Sequence, residues 1–242
     1  MRVAALYDVH GNLPALEAVL AEVETENVDA VVVGGDVLWG PFQSECLSAL
    51  RSHNARFVAG NCEREVPTAS DESSAWCRAQ LAPGDLDFVS GWPATLELQV
   101  AGLGSAVFCH ATPRSDDEIL TRTTPEAAVV AALSGIEADV VLCGHTHVQY
   151  DRRVVGAPRL VNAGSVGLPY QGEPGAFWAL LGPDVELRRT PYDVDAALAS
   201  LASSGFPSAA DVFGESLRGE ASAESATAYF ESKRGTTRRN AL

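Results

Sequence analysis

The sequence contains no apolar run of roughly 18 residues, so no segment is long enough to cross a membrane as a helix. It has no Cys-x-x-Cys pair, and its five cysteines, at 46, 62, 77, 109 and 143, are odd in number. That pattern favours reduced thiols in a cytoplasmic protein over a disulfide framework. Residues 1–8 place an acid where the apolar stretch of a signal peptide would continue, so no export signal is expected. Basic residues are scarce. The 17 Lys and Arg stand against 32 Asp and Glu, a formal net charge of −15. Such a surface repels phosphate backbones and excludes generic nucleic-acid coating. No internal repeat is evident, and no oligomeric state follows from the sequence.

What is present is an ordinary globular composition: 242 residues, 46% hydrophobic and 20% charged. A chain of this length buries a core without disulfides and suits one large domain with an appendage. Through about residue 180, short β-rich runs alternate with amphipathic helical patterns. Strands are expected at 3–9, 29–33, 55–58, 95–100, 105–109, 139–143, 152–155, 160–162, 176–181 and 185–190. Helices are expected from Leu13, with Leu16, Leu20 and Val23 on one face, near 44–51, twice between 70 and 90, and at 125–133. Asn12 reads as the N-cap of the first. The alternation predicts an α/β layer architecture with mixed sheets. The reading divides the chain into a domain at 1–192 and a helical appendage at 193–242 packed on it. The appendage opens with a helix carrying Val194, Ala197, Leu198 and Leu201, stopped by Gly205, followed by a weaker face of Ala226, Tyr229 and Phe230. It could cover a sheet edge, make a dimer contact or gate a pocket. The basic run Lys233, Arg234, Arg238 and Arg239 reads as a solvated terminus.

The chemistry gathers at the ends of the expected strands. One ends in Asp8-Val9-His10-Gly11-Asn12, the next in Gly34-Gly35-Asp36, a third in Gly60-Asn61-Cys62-Glu63. Later ones end in Cys109-His110 and in Gly144-His145-Thr146-His147. Ligands of open α/β sheets bind outside the carboxyl ends of strands, so these residues converge on one edge. Four of the five histidines belong to the set, leaving His53 aside. Asp8, His10, Asp36, Asn61, His110, His145 and His147 are all N or O donors, the ligand set of a hard-to-borderline divalent transition metal. Seven ligands exceed one ion and suit two that share a carboxylate. If both segments are extended, Asp8/His10 and His145/His147 would each act as a two-pronged clamp, because alternate side chains point the same way.

These fragments, D-x-H, G-D, G-N-x-E, a lone His and G-H-x-H, resemble the signature of calcineurin-like metallophosphoesterases, closest to the small prokaryotic phosphodiesterase-type branch. The resemblance covers roughly residues 1–190 and implies a four-layer α/β/β/α sandwich of two mixed β-sheets flanked by helices. It implies two divalent transition-metal ions, manganese first, with iron, zinc or nickel as alternatives. One would be held by Asp8, His10, Asp36 and His147. The other would be held by Asp36, Asn61, His110 and His145, with Asp36 bridging. It gives Asp36, Asn61 and His110 the metal-borne chemistry: in-line attack of a metal-bridging hydroxide on a small phosphoester, preferentially a diester. A phosphomonoesterase, a dinucleoside polyphosphate hydrolase, and a non-catalytic scaffold on the same fold, as in the retromer subunit, are the alternatives. All seven ligand positions are filled, which disfavours the scaffold.

The sequence departs from the family at one place. Many relatives carry G-N-H-[DE], whose histidine protonates the leaving group. Here that position is Cys62, a thiol that brings no positive proton donor. Chemistry is then expected to rely on the metals and on a leaving group that departs easily or recruits another acid. Arg64, Trp39 and Asn12 are candidate substrate contacts, Arg64 as a bidentate phosphate ligand and Trp39 as a pocket wall. Glu63 is expected to orient ligands rather than bind metal. The segment 162–170 is expected to be structural. Cys109 and Cys143, each one residue before a ligand histidine, should point into the core.

Overall fold

Alternation along the buried strands decides the layering. The structure, a computed structural model, describes residues 1–235. In β1 (Val3–Leu6) and the residue after it, Val3, Ala5 and Tyr7 face one core and Ala4 and Leu6 another. All are buried, as in a strand covered on both sides. Strand β1 runs parallel to β2 (Ala30–Val33), which runs parallel to β3 (Arg56–Phe57). The hairpin β9 (Ala176–Leu181) and β10 (Val185–Thr190) joins antiparallel on the other side, giving the order β10-β9-β1-β2-β3.

The second sheet is also mixed. Strands β4 (Thr95–Val100) and β5 (Gly104–Cys109) pair antiparallel, β6 (Val140–Cys143) joins β5 in parallel, and β8 (Arg159–Asn162) joins β6 in parallel. Strand β7 (Tyr150–Arg152) closes the order β4-β5-β6-β8-β7. Tyr7, Phe108, Leu142 and Val161 fill the seam between the sheets, each burial of such a side chain contributing about 1.5–3 kcal/mol.

Helices cover the outer faces. α1 (Leu13–Thr25) and α2 (Gln43–Ser52) pack on the first sheet, α6 (Glu126–Ala132) on the second. The result is the expected four-layer α/β/β/α sandwich of two mixed sheets. Cys109 and Cys143 lie in the apolar cluster beneath α6, on the face opposite the histidines that follow them. Between β3 and β4 in the chain come α3 (Asn61–Glu65), α4 (Glu72–Gln80) and α5 (Asp85–Ser90), whose Cys62, Cys77 and Val89 join the cluster on the α1/α2 side. Of the appendage helices, α7 (Val194–Ser203) and α8 (Ala209–Leu217) bury Leu201, Phe213 and Leu217 against the α1/α2 side. The last, α9 (Ala223–Lys233), lies elsewhere, as described below.

Two strands and two helices depart from expectation. β1 stops at Leu6 rather than Val9, because the chain turns into the left-handed region at Asp8. β7 lies at Tyr150–Arg152 rather than 152–155; Val155 is 95% exposed and outside the ladder. The short α3 was not expected, nor was α8, although its Ala209, Phe213 and Leu217 share one buried face at helical spacing. Among the described residues no helix is long and apolar enough to cross a membrane. Arg234 pairs with Glu231 at 2.7 Å, whereas Arg238 and Arg239 lie outside the described residues.

Candidate metal centre

The parallel strands of both sheets deliver their carboxyl ends to one edge, but not by extended clamps. Asp8, His10, Asp36, His145 and His147 all have φ between 46 and 65°. The extended-clamp expectation is therefore corrected: each pair reaches inward from left-handed turns. Such a conformation costs on the order of 1–3 kcal/mol at a non-glycine residue and clusters where function requires it. Cross-bonds hold the turns in place. Asp8 N donates to Gly35 O at 3.2 Å, and His10 N donates to Asp36 O at 2.9 Å. Gly60 and Gly144 are required by close approach: a Cβ would stand 2.3 Å from Asp36 Oδ1 at the first and from Asp8 Oδ2 at the second.

Three histidines have their Nδ1 atoms against backbone carbonyls: His10 on Trp39 O at 3.3 Å, His110 on Gly34 O at 2.8 Å and His147 on Leu168 O at 2.6 Å. A carbonyl only accepts, so Nδ1 carries the proton and each Nε2 lone pair faces the cluster. There His10 Nε2 lies 3.2 Å from His147 Nε2, and His110 Nε2 lies 3.1 Å from Asn61 Oδ1. Neutral rings would set acceptor against acceptor. A cation between them resolves the conflict.

The carboxylates make the same point. Asp8 Oδ2 accepts from His145 N at 2.9 Å, while the buried Oδ1 has no hydrogen-bond partner. Asp8 Oδ1 stands 3.3 Å from His147 Nε2 and 3.8 Å from His110 Nε2. Asp36 Oδ1 accepts from Cys62 N at 2.9 Å, and Oδ2 lies 3.7 Å from His10 Nε2 and 3.5 Å from His110 Nε2. Each carboxylate thus faces one histidine of each proposed ion, Asp36 meeting His10 and His110 and Asp8 meeting His147 and His110. Donor atoms within 4.8 Å of one another form the groups Asp8/His10/His147 and Asp8/Asp36/His110, and a third with Cys62 beside His10 and Asp36. Among the described residues the donor set fits divalent ions.

Electrostatics agrees. Burial works against charged rings, but the Asp36 and Asp8 carboxylates outweigh it and hold the His110 pKa above its ordinary value; Asp8 does the same for His147. Burial and His147 push His10 down to about 4, and burial and His110 push His145 to about 4. Burial alone would raise the two aspartates, yet His147 lowers Asp8 and His110 lowers Asp36. Metal binding must displace protons from His110 and His147, so it strengthens as pH rises through their raised values.

Glu63 anchors the base of the site. Its Oε2 accepts from Asp36 N (2.8 Å) and Gly60 N (2.7 Å), and its Oε1 from Val37 N (2.8 Å) and Leu38 N (3.1 Å). Four backbone donors of two loops meet one carboxylate. The segment 162–170 is structural in the same way: Asn162 Nδ2 donates to Gly144 O, Ser165 Oγ to Asp8 O, and Tyr170 stacks on the His147 ring at 5.0 Å.

The remaining candidates divide. His145 stands at the edge of the cluster, its ring 5.2 Å from His110. Trp39 packs edge-on against His10 at 5.7 Å, walling the site. Asn12 is buried and caps α1: Oδ1 accepts from Ala15 N at 3.2 Å and Nδ2 donates to Gly167 O at 2.9 Å and to Tyr192 Oη at 3.4 Å. Its expected substrate contact is corrected, because these bonds engage its whole amide. Arg64 gives its fork to Asp116, Nε to Oδ2 at 2.7 Å and Nη2 to Oδ1 at 3.1 Å, instead of presenting it to a phosphate. Tyr170, in the segment 162–170, stacks on His147 as a pocket wall would, whereas nothing local in the sequence marks Asp116 as the partner of Arg64.

The comparisons fit this geometry. Residues 1–181 match the calcineurin-like phosphoesterase superfamily domain. An uncharacterized protein of Methanocaldococcus jannaschii, MJ0912, is 24% identical over 232 residues, covering 85% of this chain and 93% of its own. A metallophosphoesterase from Sphaerobacter thermophilus superposes with a TM-score of 0.73 at 24% identity, over 90% of this chain and 100% of that one. The hypothetical protein PH1004 from Pyrococcus horikoshii OT3 gives 0.77 at 19% identity, over 90% and 98%. Both structures share the fold.

Proposed function

The chain belongs to the calcineurin-like phosphoesterase superfamily and is a metal-dependent phosphoester hydrolase, and on that premise we propose that its site is binuclear and hydrolyses a small phosphodiester. The observation that carries the reading is the convergence of three Nε2 lone pairs, each fixed by a carbonyl behind it, on two carboxylates, one with an orphaned oxygen. Two divalent ions would supply Lewis acidity toward the phosphoryl oxygens and an acidified water near neutral pH. Manganese suits the N/O donor set. His10, His147 and Asp8 would hold one ion, His110, Asn61 and His145 the other, and Asp36 would serve both.

The residues favour a diester. Among the described residues none of the cluster's ion pairs involves Lys or Arg, and Arg64 is turned to Asp116, so these residues offer the second charge of a monoester no side-chain cation. Cys62 is a weak proton donor: burial, then Asp36 and Glu63, push its thiol well above the usual range. The leaving group must therefore depart with little help from that position. The overall charge excludes broad binding to polyanions but not a small ester at a locally cationic site. Five buried free cysteines support the cytoplasmic placement.

A matched assay tests the reading. With manganese, a 4-nitrophenyl diester should turn over faster than the monoester, and rates along an aryl series should fall steeply as the leaving group becomes more basic. Faster monoester turnover would favour the phosphomonoesterase alternative. Absence of turnover on either would return the scaffold reading.

A further inference from the structure

The C-terminal helix reaches the metal ligands. Tyr170 stacks nearly parallel on His147, rings 5.0 Å apart at 14°. Beyond it stands Phe230 of α9, 6.4 Å from Tyr170 and 6.2 Å from His145. Next along the helix, Tyr229 lies 5.6 Å from Phe230 and is 60% exposed. Three rings thus run from the two outer histidines of the cluster toward solvent. The helix that carries two of them is fixed on both sides of the site. Glu231 accepts hydrogen bonds from Thr121, at 2.7 Å, and Thr124, and Glu224 accepts from Arg122 at 2.8 Å, all on the loop that follows β5 and His110. Across the site, Gly172 N donates to Ala221 O at 3.0 Å, just before α9. These ties make α9 a standing wall.

Building on the hydrolase reading, we propose that Phe230, with Tyr170 and Tyr229, forms a stacking subsite for a flat aromatic ring on the non-reacting arm of the phosphoester. The rings flank the histidines rather than the strand-end carboxylates, so they meet the part of a substrate that projects outward from phosphorus. An aromatic face binds flat rings by offset or edge contact beyond what apolar area gives, and it does so with little regard to the ring's hydrogen-bonding edge. Aryl groups and nucleobases share that chemistry. Phe230 and Tyr229 lie outside the matched residues 1–181, so the appendage adds selectivity to a general hydrolytic centre.

The test uses phosphonates, which bind without being hydrolysed, so it reads the subsite even if the hydrolase reading fails. Phenylphosphonate, methylphosphonate and a nucleoside 5′-phosphonate are titrated by calorimetry into the manganese-supplemented full chain. The wild type should bind phenylphosphonate about ten-fold more tightly than methylphosphonate, the scale of one stacked ring. Phe230→Leu, which keeps apolar bulk, should abolish that preference; Phe230→Tyr should retain it within about two-fold. Thermal midpoints and bound manganese should match wild type in both variants. A nucleoside phosphonate tighter than phenylphosphonate supports the proposal with a nucleobase as the ring, a weaker one with a simple aryl group. Equal affinity for phenyl- and methylphosphonate in the wild type, or an unchanged preference in Phe230→Leu, overturns it.

Discussion

Asp36→Asn should lower kcat/KM for a diester by about a thousand-fold or more, where each 1.36 kcal/mol of lost transition-state stabilisation is ten-fold. Asp36 Oδ2 is the one carboxylate oxygen that faces both His10 and His110. Replacing it with an amide removes negative charge from both proposed ions at once and turns an N–H donor toward imidazole nitrogens. The fold should survive, because an asparagine carbonyl can still accept from Cys62 N, now at 2.9 Å from Oδ1. Asn61→Ala touches only the His110 side and should cost less. Steady-state kinetics, thermal midpoint and bound metal, measured on the same preparations, separate these effects. Near wild-type turnover in Asp36→Asn would reject its bridging role.

The second large effect is expected at Glu63, which touches no ion. Its carboxylate accepts four backbone N–H groups, from Asp36, Val37, Leu38 and Gly60. Glu63→Gln leaves one oxygen to accept and sets an NH2 group against two of those donors. Each orphaned buried donor costs about 1–3 kcal/mol. The expected loss is about 4 kcal/mol, which for a chain of this size lowers the thermal midpoint by about 10 °C. Activity should fall with it, because the amide of Asp36 loses its anchor. An unchanged midpoint would mean that the loops holding Asp36 and Asn61 are fixed by other bonds.

Much of this site was legible because buried parallel strands read as apolar runs, and their ends stand out as Asp, His, Asn and Gly. The order of those ends, with sheet geometry, brings Asp8 and His147 together across the chain without any structure. The left-handed turns were not legible: φ at Asp8 and His147 is imposed by cross-loop bonds and close glycines rather than by local preference. Helix α3 is five residues long, too short for a periodic face. Helix α8 was legible in principle, since Ala209, Phe213 and Leu217 recur at helical spacing, but it is short, contains Gly214 and lies in an Ala/Ser/Glu-rich stretch. The roles of Arg64 and Asn12 also depended on distant partners. Arg64 meets Asp116, 52 residues away, and Asn12 meets Gly167, 155 residues away. For the same reason nothing local in α9 marked Phe230 as a neighbour of His145.

The central claim is a binuclear metal centre that hydrolyses phosphodiesters. It is tested most directly by titrating the metal-stripped chain with manganese while reading bound ions and turnover of a 4-nitrophenyl diester together. Two ions per chain are expected, with turnover that appears with them and disappears with chelator, and weaker binding at lower pH as His110 and His147 retain their protons. Turnover that persists in chelator, or a chain that binds no manganese in this titration, would contradict it.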